Sequence, residues 1–395
     1  MVNHIYLDSA ASTPVADEVI AEMLPYMKQQ YGNPSSIHKF GREAARAIQL
    51  ARKRVAELIG AASPREIIFT SGGTESDNLA LKGAAMYIRN NSPKKVRIIT
   101  SSIEHDAILE TCKDLERMGF SITYLPVTKE GLIRRQDLKN AISSSDVALV
   151  SIMYANNEVG TIQPVEELAE ITHQANVPFH TDAVQAVGKI PINVKDQHID
   201  MMSLSSHKIN GPKGVGALYI RNGLKIDPII YGGGQESSLR SGTENVPGIV
   251  GFGKACELAF KNIDQYQKNI SELRDYLIEK ILHEIPHSRL NGAHVNRIPS
   301  NAHFTFFGVN GEDLIIKLDE NGIAASTGSA CSVKKQKPSH VLKAMGFSYE
   351  EITGSLRLSF GMHNTKEEMN RTANILLNII QELRVLSPFK SKYAC

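Results

Sequence analysis

The sequence predicts an α/β protein built on a mostly parallel sheet with helices on both faces. Short runs rich in β-branched and aromatic residues alternate with longer stretches of helical periodicity, a pattern typical of βαβ units. Each run also leads into polar or glycine-rich residues, and in such sheets ligands bind beyond the carboxyl ends of the strands. The fold class therefore predicts a ligand site at one edge of the sheet. The predicted strands are residues 66–70, 96–100, 147–152, 178–181 and 216–220.

The second half of the chain predicts another domain. A long helical pattern, at about residues 247–285, follows the glycine run at 232–234 and leads into a strand-like segment at 302–307. A chain of 395 residues usually folds as two or three domains. We place the boundary inside the long helix, which gives a large domain at 16–262 and a small domain that combines 1–15 with 263–395.

Charge and composition narrow the classes of partner. The chain contains 44 Lys and Arg against 42 Asp and Glu, so no strong basic field indicates nucleic acid or an anionic membrane surface. No stretch approaches the ~20 apolar residues of a membrane span, and residues 1–8 do not resemble a signal peptide. We therefore expect a cytoplasmic protein with a small-molecule ligand, no membrane association and no direct nucleic-acid partner.

The four cysteines are too scattered for a structural role in disulfides or metal binding. Cys112, Cys256, Cys331 and Cys395 include no CxxC pair, which argues against a disulfide framework or a thiolate metal site. Cys112 and Cys256 lie in helical or apolar surroundings typical of buried, inert thiols. Cys331 follows small polar residues and precedes a lysine-rich segment, and nearby positive charge favours a reactive thiolate.

Lys208 lies in a turn between two strand-like segments, after an apolar run that ends at Leu204. A lysine amine condenses with the aldehyde of pyridoxal phosphate when the protein holds it partly desolvated in a pocket. Taken alone, a lysine in a turn is more often a solvated loop residue. The polar residues at the neighbouring strand ends favour the first interpretation.

Residues 71–76 (SGGTES) lie between a predicted strand and a helix. Their backbone N–H groups, the helix dipole and the Thr74 hydroxyl suit a phosphate group. The alternative is an ordinary glycine turn with a helix cap. The segment matches neither the Walker pattern nor GxGxxG, so it does not predict ATP or NAD binding.

Three further side chains at strand ends suit the ring of the same cofactor. Asp182 is placed to pair with a protonated pyridine nitrogen, although capping the next helix is the alternative role. Gln185 is placed to donate a hydrogen bond to the phenolic oxygen of the ring. His105 suits ring stacking or proton transfer, and the alternative is a structural loop histidine.

Taken together, these motifs resemble those of the NifS-like cysteine desulfurases, which are fold-type I pyridoxal-phosphate enzymes of aminotransferase class V. The similarity runs from Tyr6 to about Leu386. It implies a large domain with a mostly parallel seven-stranded sheet between helices and a smaller α/β C-terminal domain. The matching segments are 32–38 (GNPSSIH), 70–78 (TSGGTESDN), 104–105 (EH), 156–161 (NNEVGT), 180–185 (HTDAVQ), 205–208 (SSHK), 240–245 (RSGTEN) and 326–331 (STGSAC).

The resemblance implies a role for each matching residue. Lys208 binds the pyridoxal 5'-phosphate aldehyde, and His105 stacks on the ring and carries protons. Cys331 takes the sulfur of L-cysteine as a persulfide, which leaves alanine. The implied phosphate contacts are Gly73, Thr74, Ser205 and His207; Asp182 and Gln185 contact the ring, and Asn157 lies near cofactor and substrate. The implied ligands of the substrate carboxylate are Asn33 and Arg357.

The resemblance also implies partners. Thr243 is expected to reach the cofactor of the other subunit, so a homodimer follows. The persulfide passes to an acceptor protein, either an iron–sulfur scaffold or an enzyme that thiolates tRNA or cofactors, and the unusually basic segment 332–340 leaves the acceptor open. Alternative functions are a selenocysteine lyase or an aminotransferase of the same fold. A scaffold or sulfur carrier without the cofactor is a third, which the intact set of catalytic residues argues against.

Overall fold

The structure is a computed structural model that describes residues 4–328, 338–386 and 390–393. Its strands, numbered in chain order, are β1 (Ile5–Tyr6), β2 (Ile67–Thr70), β3 (Arg97–Ser101), β4 (Ser121–Leu125), β5 (Val147–Ser151), β6 (Phe179–Asp182), β7 (Met201–Ser205), β8 (Gly216–Ile220), β9 (Ser288–Leu290), β10 (Asn301–Phe306), β11 (Ile323–Ala324) and β12 (Ser355–Ser359). Its helices are α1 (Asp17–Lys28), α2 (Lys39–Leu58), α3 (Gly73–Asn91), α4 (Asp106–Arg117), α5 (Arg135–Ile142), α6 (Val165–Gln174), α7 (Val246–Glu284), α8 (Gly311–Glu320), α9 (His340–Ala344), α10 (Tyr349–Thr353), α11 (Lys366–Leu386) and α12 (Lys390–Tyr393).

Seven strands form the central sheet in the order β2–β8–β7–β6–β5–β3–β4. Strand β8 runs antiparallel to both of its neighbours, and the remaining pairs are parallel. The predicted mostly parallel sheet is therefore confirmed. The sequence analysis did not predict β4, an edge strand whose residues are mostly half-buried or exposed and so lack a clear apolar pattern.

Helices cover both faces of this sheet. Strands β5, β7 and β8 are buried at every position, as expected when a sheet is covered on two sides. Because side chains alternate along a strand, Phe69 joins a core with residues of α2 and α7, whereas its neighbour Ile68 joins a core with residues of α3 and α4. The two faces therefore have separate hydrophobic cores.

Close packing of α2 on α7 depends on small residues. Ala44, Ala47, Ile48 and Ala51 recur at helical spacing on the buried side of α2. A Cβ atom at Gly253 of α7 would lie 2.5 Å from Cα of Ala51, so only glycine permits this approach. The pair anchors the N-terminal half of α7 under the sheet.

A third hydrophobic core lies around a three-stranded antiparallel sheet, β9–β10–β12, and the parallel pair β1–β11. It combines Ile5 and Leu7 from the start of the chain with residues of α8, α11 and the second half of α7, from Ile270 onward. The 39-residue α7 thus contributes to two cores. The domain boundary at about residue 262 stays a prediction, which this partition of buried residues supports.

A buried ion pair connects α2 with the segment before α7. Nη1 and Nη2 of Arg52 donate to the two carboxylate oxygens of Glu236 at 2.7 and 2.6 Å, and the N–H of Phe69 donates to the same carboxylate at 2.8 Å. Glu236, Ser237 and Ser238 all have positive φ angles, between 45° and 64°. Such a run costs roughly 1–2 kcal/mol per residue for side chains other than glycine. We infer that the ion pair holds this strained turn in place.

Substitution of Arg52 tests that inference. In Arg52→Met the Glu236 carboxylate stays buried without its cation, so we expect the free energy of unfolding to fall by about 3–5 kcal/mol. Urea denaturation of the purified protein measures this. The double variant Arg52→Met/Glu236→Gln should recover part of the loss, and an Arg52→Met variant as stable as the wild type would show that the pair is not needed.

Candidate active site

A cavity of ≈ 500 Å³ lies at the carboxyl ends of the parallel strands. Its wall is formed by strand ends, by the starts of α3 and α4, by residues 8–13, which we call the N-terminal arm, and by Arg357 of β12 with residues near the start of α9. The predicted site residues that line it are Gly73, Thr74, His105, Asn157, Asp182, Gln185, Ser205, His207, Lys208 and Arg357. The structure therefore brings most of the predicted set together.

Two other predicted residues are not in that wall. Asn33 is exposed, and its Oδ1 accepts from the N–H of Ser35 at 2.9 Å. Thr243 is exposed in the segment before α7. Cys331 lies outside the residues that the structure describes, as does Cys395, for which no role is predicted. The roles of Asn33, Thr243 and Cys331 stay predictions.

Lys208 is held at the cavity wall by the N-terminal arm. It ends the 3₁₀ turn Ser206–Lys208 that follows β7, and its Nζ donates to the carbonyl oxygens of Ala10 and Ala11 at 2.5 and 2.9 Å. Thr13 of the same arm donates to the carbonyl of His207 from both its N–H and its hydroxyl. The arm and the lysine turn therefore fix each other.

The start of α3 forms a cradle suited to an anion. No described side chain caps this helix, so the N–H groups of its first turn lack a side-chain acceptor. Gly73 and Thr74 line the cavity there, and a Cβ at Gly73 would lie 2.7 Å from Cγ2 of Val184.

Burial, followed by the charges of nearby lysines, lowers the pKa of His207 to about 4, so this ring is neutral at pH 7.

Asp182 ends β6 and His105 follows β3, and β5 lies between these two strands in the sheet. Oδ1 of Asp182 accepts from the N–H of Val184 at 2.9 Å, but the residues that follow form a turn rather than a helix, so the alternative role as a helix cap is wrong. Burial raises the pKa of Asp182, while the charges of His105 and Lys208 oppose that rise. Nδ1 of His105 accepts from the N–H of Ala107 at 3.1 Å, which places the proton of the neutral ring on Nε2.

A layer of buried polar groups lies behind Asp182, and the sequence analysis missed it. His180 contacts Ser151 and Ser203 through its two ring nitrogens, and burial lowers its pKa to about 3. Oδ1 of Asp77 is buried, has no hydrogen-bond partner within the described chain and lies 3.9 Å from Nε2 of His180. Burial, then the charge of Asp182, raises the pKa of Asp77. Burial therefore disfavours the charged form of both His180 and Asp77.

Glu104 is a second missed carboxyl group. It is fully buried, and its oxygens accept from the N–H of Met153 at 3.0 and 3.1 Å and from the hydroxyl of Ser101 at 2.5 Å. Burial raises its pKa to about 8. Asp77 and Glu104 belong to segments 70–78 and 104–105, which resemble motifs of the cysteine desulfurases, and this was the only sign in the sequence that they matter. Nothing in the sequence shows that their side chains are buried.

Arg357 of β12 presents a guanidinium at the other end of the cavity. Nη1 donates to the carbonyl oxygens of Asn157 and Gly328 at 2.9 and 3.3 Å, and Nη2 donates to Oδ1 of Asp8 at 2.8 Å. Nε is buried and has no partner among the described residues. An arginine edge with donors in reserve suits a carboxylate ligand. Gly328 and Pro338, which flank the segment that contains Cys331, line the same cavity.

Other features of the described chain do not form a competing site. A larger cavity, of ≈ 680 Å³, lies near α8 and α11 and brings together none of the predicted site residues. Within the described ranges, no group of three His, Cys, Asp or Glu side chains is placed to bind a metal ion. Every helix in those ranges is too short or too polar to cross a membrane.

Comparisons with known proteins agree with this geometry. Residues 5–372 match the family model of class V aminotransferases. The chain is 51% identical to "Cysteine desulfurase IscS" of Dictyoglomus turgidum over 393 residues, which cover 100% of this chain and 98% of the relative. It is 52% identical to the protein of the same name from Methanosarcina thermophila over 388 residues, covering 98% and 95% of the two chains.

Solved structures show the same similarity. A structure titled "NifS-like protein" superposes with a TM-score of 0.89 at 40% identity and covers 96% of this chain and 100% of its own. A structure titled "SspA in complex with cysteine" superposes with a TM-score of 0.80 at 39% identity and covers 91% and 100% of the two chains.

The raised pKa of Glu104 predicts a pH dependence of stability. In the unfolded chain this carboxyl group loses its proton near pH 4.5, whereas in the folded protein it does so near pH 8. Its contribution to stability is therefore full below about pH 4.5 and is lost as the pH rises to 8. In Glu104→Gln that loss is absent.

Urea denaturation of both proteins at pH 5 and pH 9 measures this effect. We expect the stability of Glu104→Gln relative to the wild type to rise by about 3–5 kcal/mol between the two pH values. The exposed substitution Glu320→Gln is the control and should show no such rise. A constant difference between Glu104→Gln and the wild type would contradict a protonated Glu104.

Proposed function

The chain belongs to the class V aminotransferase family and, within it, to the cysteine desulfurases, and we propose that it removes sulfur from L-cysteine with pyridoxal 5'-phosphate bound in the cavity described above. One observation carries the proposal. An amine, a carboxylate, an uncapped helix start and an arginine edge all converge on this cavity. These are the groups that the aldehyde, ring and phosphate of the cofactor and the carboxylate of an amino acid require.

The residues of the cavity fit the cofactor. The start of α3 at Gly73 and Thr74 suits its phosphate, Asp182 suits the ring nitrogen, and Nζ of Lys208 suits the aldehyde. When bound, pyridoxal phosphate supplies an electron-withdrawing ring that stabilises negative charge at the substrate. Because burial lowers the pKa of His180 to about 3, this neighbouring ring stays uncharged at pH 7.

The site residues divide the proton transfers among themselves. The carbonyl groups of Ala10 and Ala11 direct Nζ of Lys208 into the cavity, where we propose that the amine removes the proton from the substrate α-carbon. His105 keeps Nδ1 on its backbone contact and uses Nε2 for proton transfer. Since His207 is neutral, it serves the phosphate as a hydrogen-bonding group rather than as a cation.

We propose that Arg357 orients the substrate through its carboxylate. Its Nε has no hydrogen-bond partner among the described residues, and its Nη2 donates a hydrogen bond to Oδ1 of Asp8. Cys331 follows Gly328 of the cavity wall by three positions, and an extended chain spans at most about 11 Å over that distance. This short connection supports the proposal that Cys331 acts on a substrate bound in the cavity.

The sulfur transfer itself uses the Cys331 thiolate. The thiolate attacks the substrate sulfur and forms an S–S bond, while the bond between that sulfur and the substrate β-carbon breaks. The electron pair of the broken bond goes to the carbon, which takes up a proton and leaves as alanine. Cys331 retains the transferred sulfur as a persulfide. We propose that it then passes to an acceptor protein, either an iron–sulfur scaffold or a thiolation enzyme.

The surface supports a homodimer. Large apolar side chains are exposed on α1, on the segment that follows it and at the start of α2, and Tyr31 stacks on Phe40 with ring centroids 5.8 Å apart. Ile37 between them is 91% exposed. Monomeric proteins rarely expose such patches, which are typical of protein interfaces. We propose that this face meets a second copy and brings Thr243 to the cofactor of the partner. A cytoplasmic location stays a prediction.

The activity is tested by following sulfur. After incubation with isotopically labelled L-cysteine and pyridoxal phosphate, we expect alanine as the product and a labelled persulfide on Cys331, which candidate acceptor proteins then take up. Borohydride reduction of the yellow holoenzyme should attach the cofactor to Lys208. Mass spectrometry measures both modifications.

Two cysteine variants distinguish the role of the Cys331 thiol from that of the Cys112 thiol. Cys331→Ala should keep the yellow absorption band and lose the persulfide, because the cofactor site is intact but the nucleophile is absent. Cys112→Ala is the matched control and should retain both, since burial raises the pKa of Cys112 to about 12. Full persulfide formation by Cys331→Ala, or reduction onto another lysine, would refute the assignments. Keto-acid products would indicate an aminotransferase, and a strong preference for selenocysteine would indicate a lyase.

The dimer is tested by light scattering. We expect the wild type to have twice the mass of one chain and Ile37→Asp to dissociate, because the substitution places a charge in an apolar interface. Val295→Asp, at a position that is 87% exposed and is not part of the apolar set described above, should remain dimeric. A wild-type protein that is monomeric at micromolar concentration would exclude the shared site.

A further inference from the structure

Lys189 is a buried amine behind the cofactor cavity. Its side chain follows β6, is almost fully buried and donates from Nζ to Oε1 of Gln185 at 3.0 Å. In the described chain no carboxylate pairs with it, and the charges that act on it are those of Lys208 and Arg357, both also positive. Burial and these two cations lower the pKa of Lys189 to about 7.

Such a group is expensive to bury. A buried amine without a counter-ion costs free energy in either protonation state unless it is hydrogen-bonded. An apolar side chain of similar length would fit an apolar environment at lower cost. The contact with Gln185 is therefore the feature of Lys189 that needs an explanation in terms of function.

The contact determines which end of the Gln185 amide faces the cavity. An ammonium group has donors and no acceptor, so it requires the carbonyl oxygen of the amide. The NH₂ group is then directed to the opposite side, where Nε2 donates to the carbonyl of Ala10 at 3.0 Å. This is the carbonyl that also accepts from Nζ of Lys208. One of the two N–H bonds of Nε2 serves Ala10, which leaves the other for a ligand in the cavity.

We propose that Lys189 is a positioning residue that acts through Gln185 and keeps an amide N–H donor directed at the ring oxygen of the bound cofactor. The proposal rests on the function proposed above. Without Lys189, the amide has no group that discriminates its oxygen from its nitrogen, and in the reversed orientation its oxygen repels the anionic ring oxygen. A cation on the amide oxygen also polarises the N–H groups, which strengthens their hydrogen bonds.

A double-mutant cycle on the holoenzyme tests the proposal, with the dissociation constant of pyridoxal phosphate as the readout. The four proteins are wild type, Lys189→Met, Gln185→Leu and the double variant. We expect Lys189→Met to weaken cofactor binding about tenfold when Gln185 is present, since hydrogen bonds to charged groups have that magnitude. In the Gln185→Leu background the same substitution should change binding less than about twofold.

The absorption spectrum and a rescue variant complete the test. Lys189→Met should shift the absorption maximum of the bound cofactor, and Lys189→Arg, which keeps a donor for the amide oxygen, should restore both the spectrum and the affinity. An equal loss of cofactor affinity with Gln185 and with Leu at position 185 would overturn the proposal, because Lys189 would then act without Gln185. Unchanged affinity in Lys189→Met would also overturn it.

Two controls keep the result unambiguous. Melting temperatures measured without cofactor show whether each variant folds. If Lys189→Met does not fold, Lys189→Gln takes its place in the double-mutant cycle. In that cycle the neutral amide can present either end to Gln185, so the expected loss is smaller but must still vanish in the Gln185→Leu background. If the wild type itself does not bind pyridoxal phosphate, the proposed function fails before the role of Lys189 is reached.

Discussion

The active site depends on one short stretch of backbone, the N-terminal arm at Ala10 and Ala11. The carbonyl of Ala10 accepts hydrogen bonds from both Lys208 and Gln185. Just before it, Asp8 pairs with Arg357; just after it, Thr13 bonds to the turn that carries Lys208. A single short segment of backbone therefore contacts both the amine and the arginine. Neither side chain would keep its position if the arm moved.

Burial of charge is the second organising constraint. The site combines groups that need water or a partner, yet Asp182, Gln185 and Arg357 of the cavity wall are almost fully buried. His180 and His207 remain neutral, and Asp77 and Glu104 have raised pKa values. The formal charges of a protein of this composition are thus a poor guide to the field inside the cavity. What a ligand meets there is a set of oriented dipoles with few full charges, an arrangement that costs little reorganisation during a reaction.

Much of the fold and of the site was predictable from the sequence, for physical reasons that differ between residues. Strands β5 and β8 are buried on both faces and therefore read as apolar runs, whereas the edge strand β4 does not. Lys208 and Asp182 were found because strand ends converge in parallel sheets. Burial of a polar side chain leaves no mark on the sequence, so Glu104 and Lys189 were missed. Asn33 and Thr243 lie outside the cavity wall of one chain, and no pattern within a single chain shows what a second copy adds.

The pairing of β1 with β11 has a consequence for the order of folding. Ile5 lies beside Ile323 in the register, and Leu7 packs in the same core as residues of α11. During synthesis the first strand leaves the ribosome hundreds of residues before its neighbour, and closing so long a loop is slow. Strand β1 therefore has no pairing strand while the central sheet assembles. The N-terminal arm that follows β1 is therefore among the last parts of the chain to reach its final position, and a nascent chain completes its active site only near the end of synthesis.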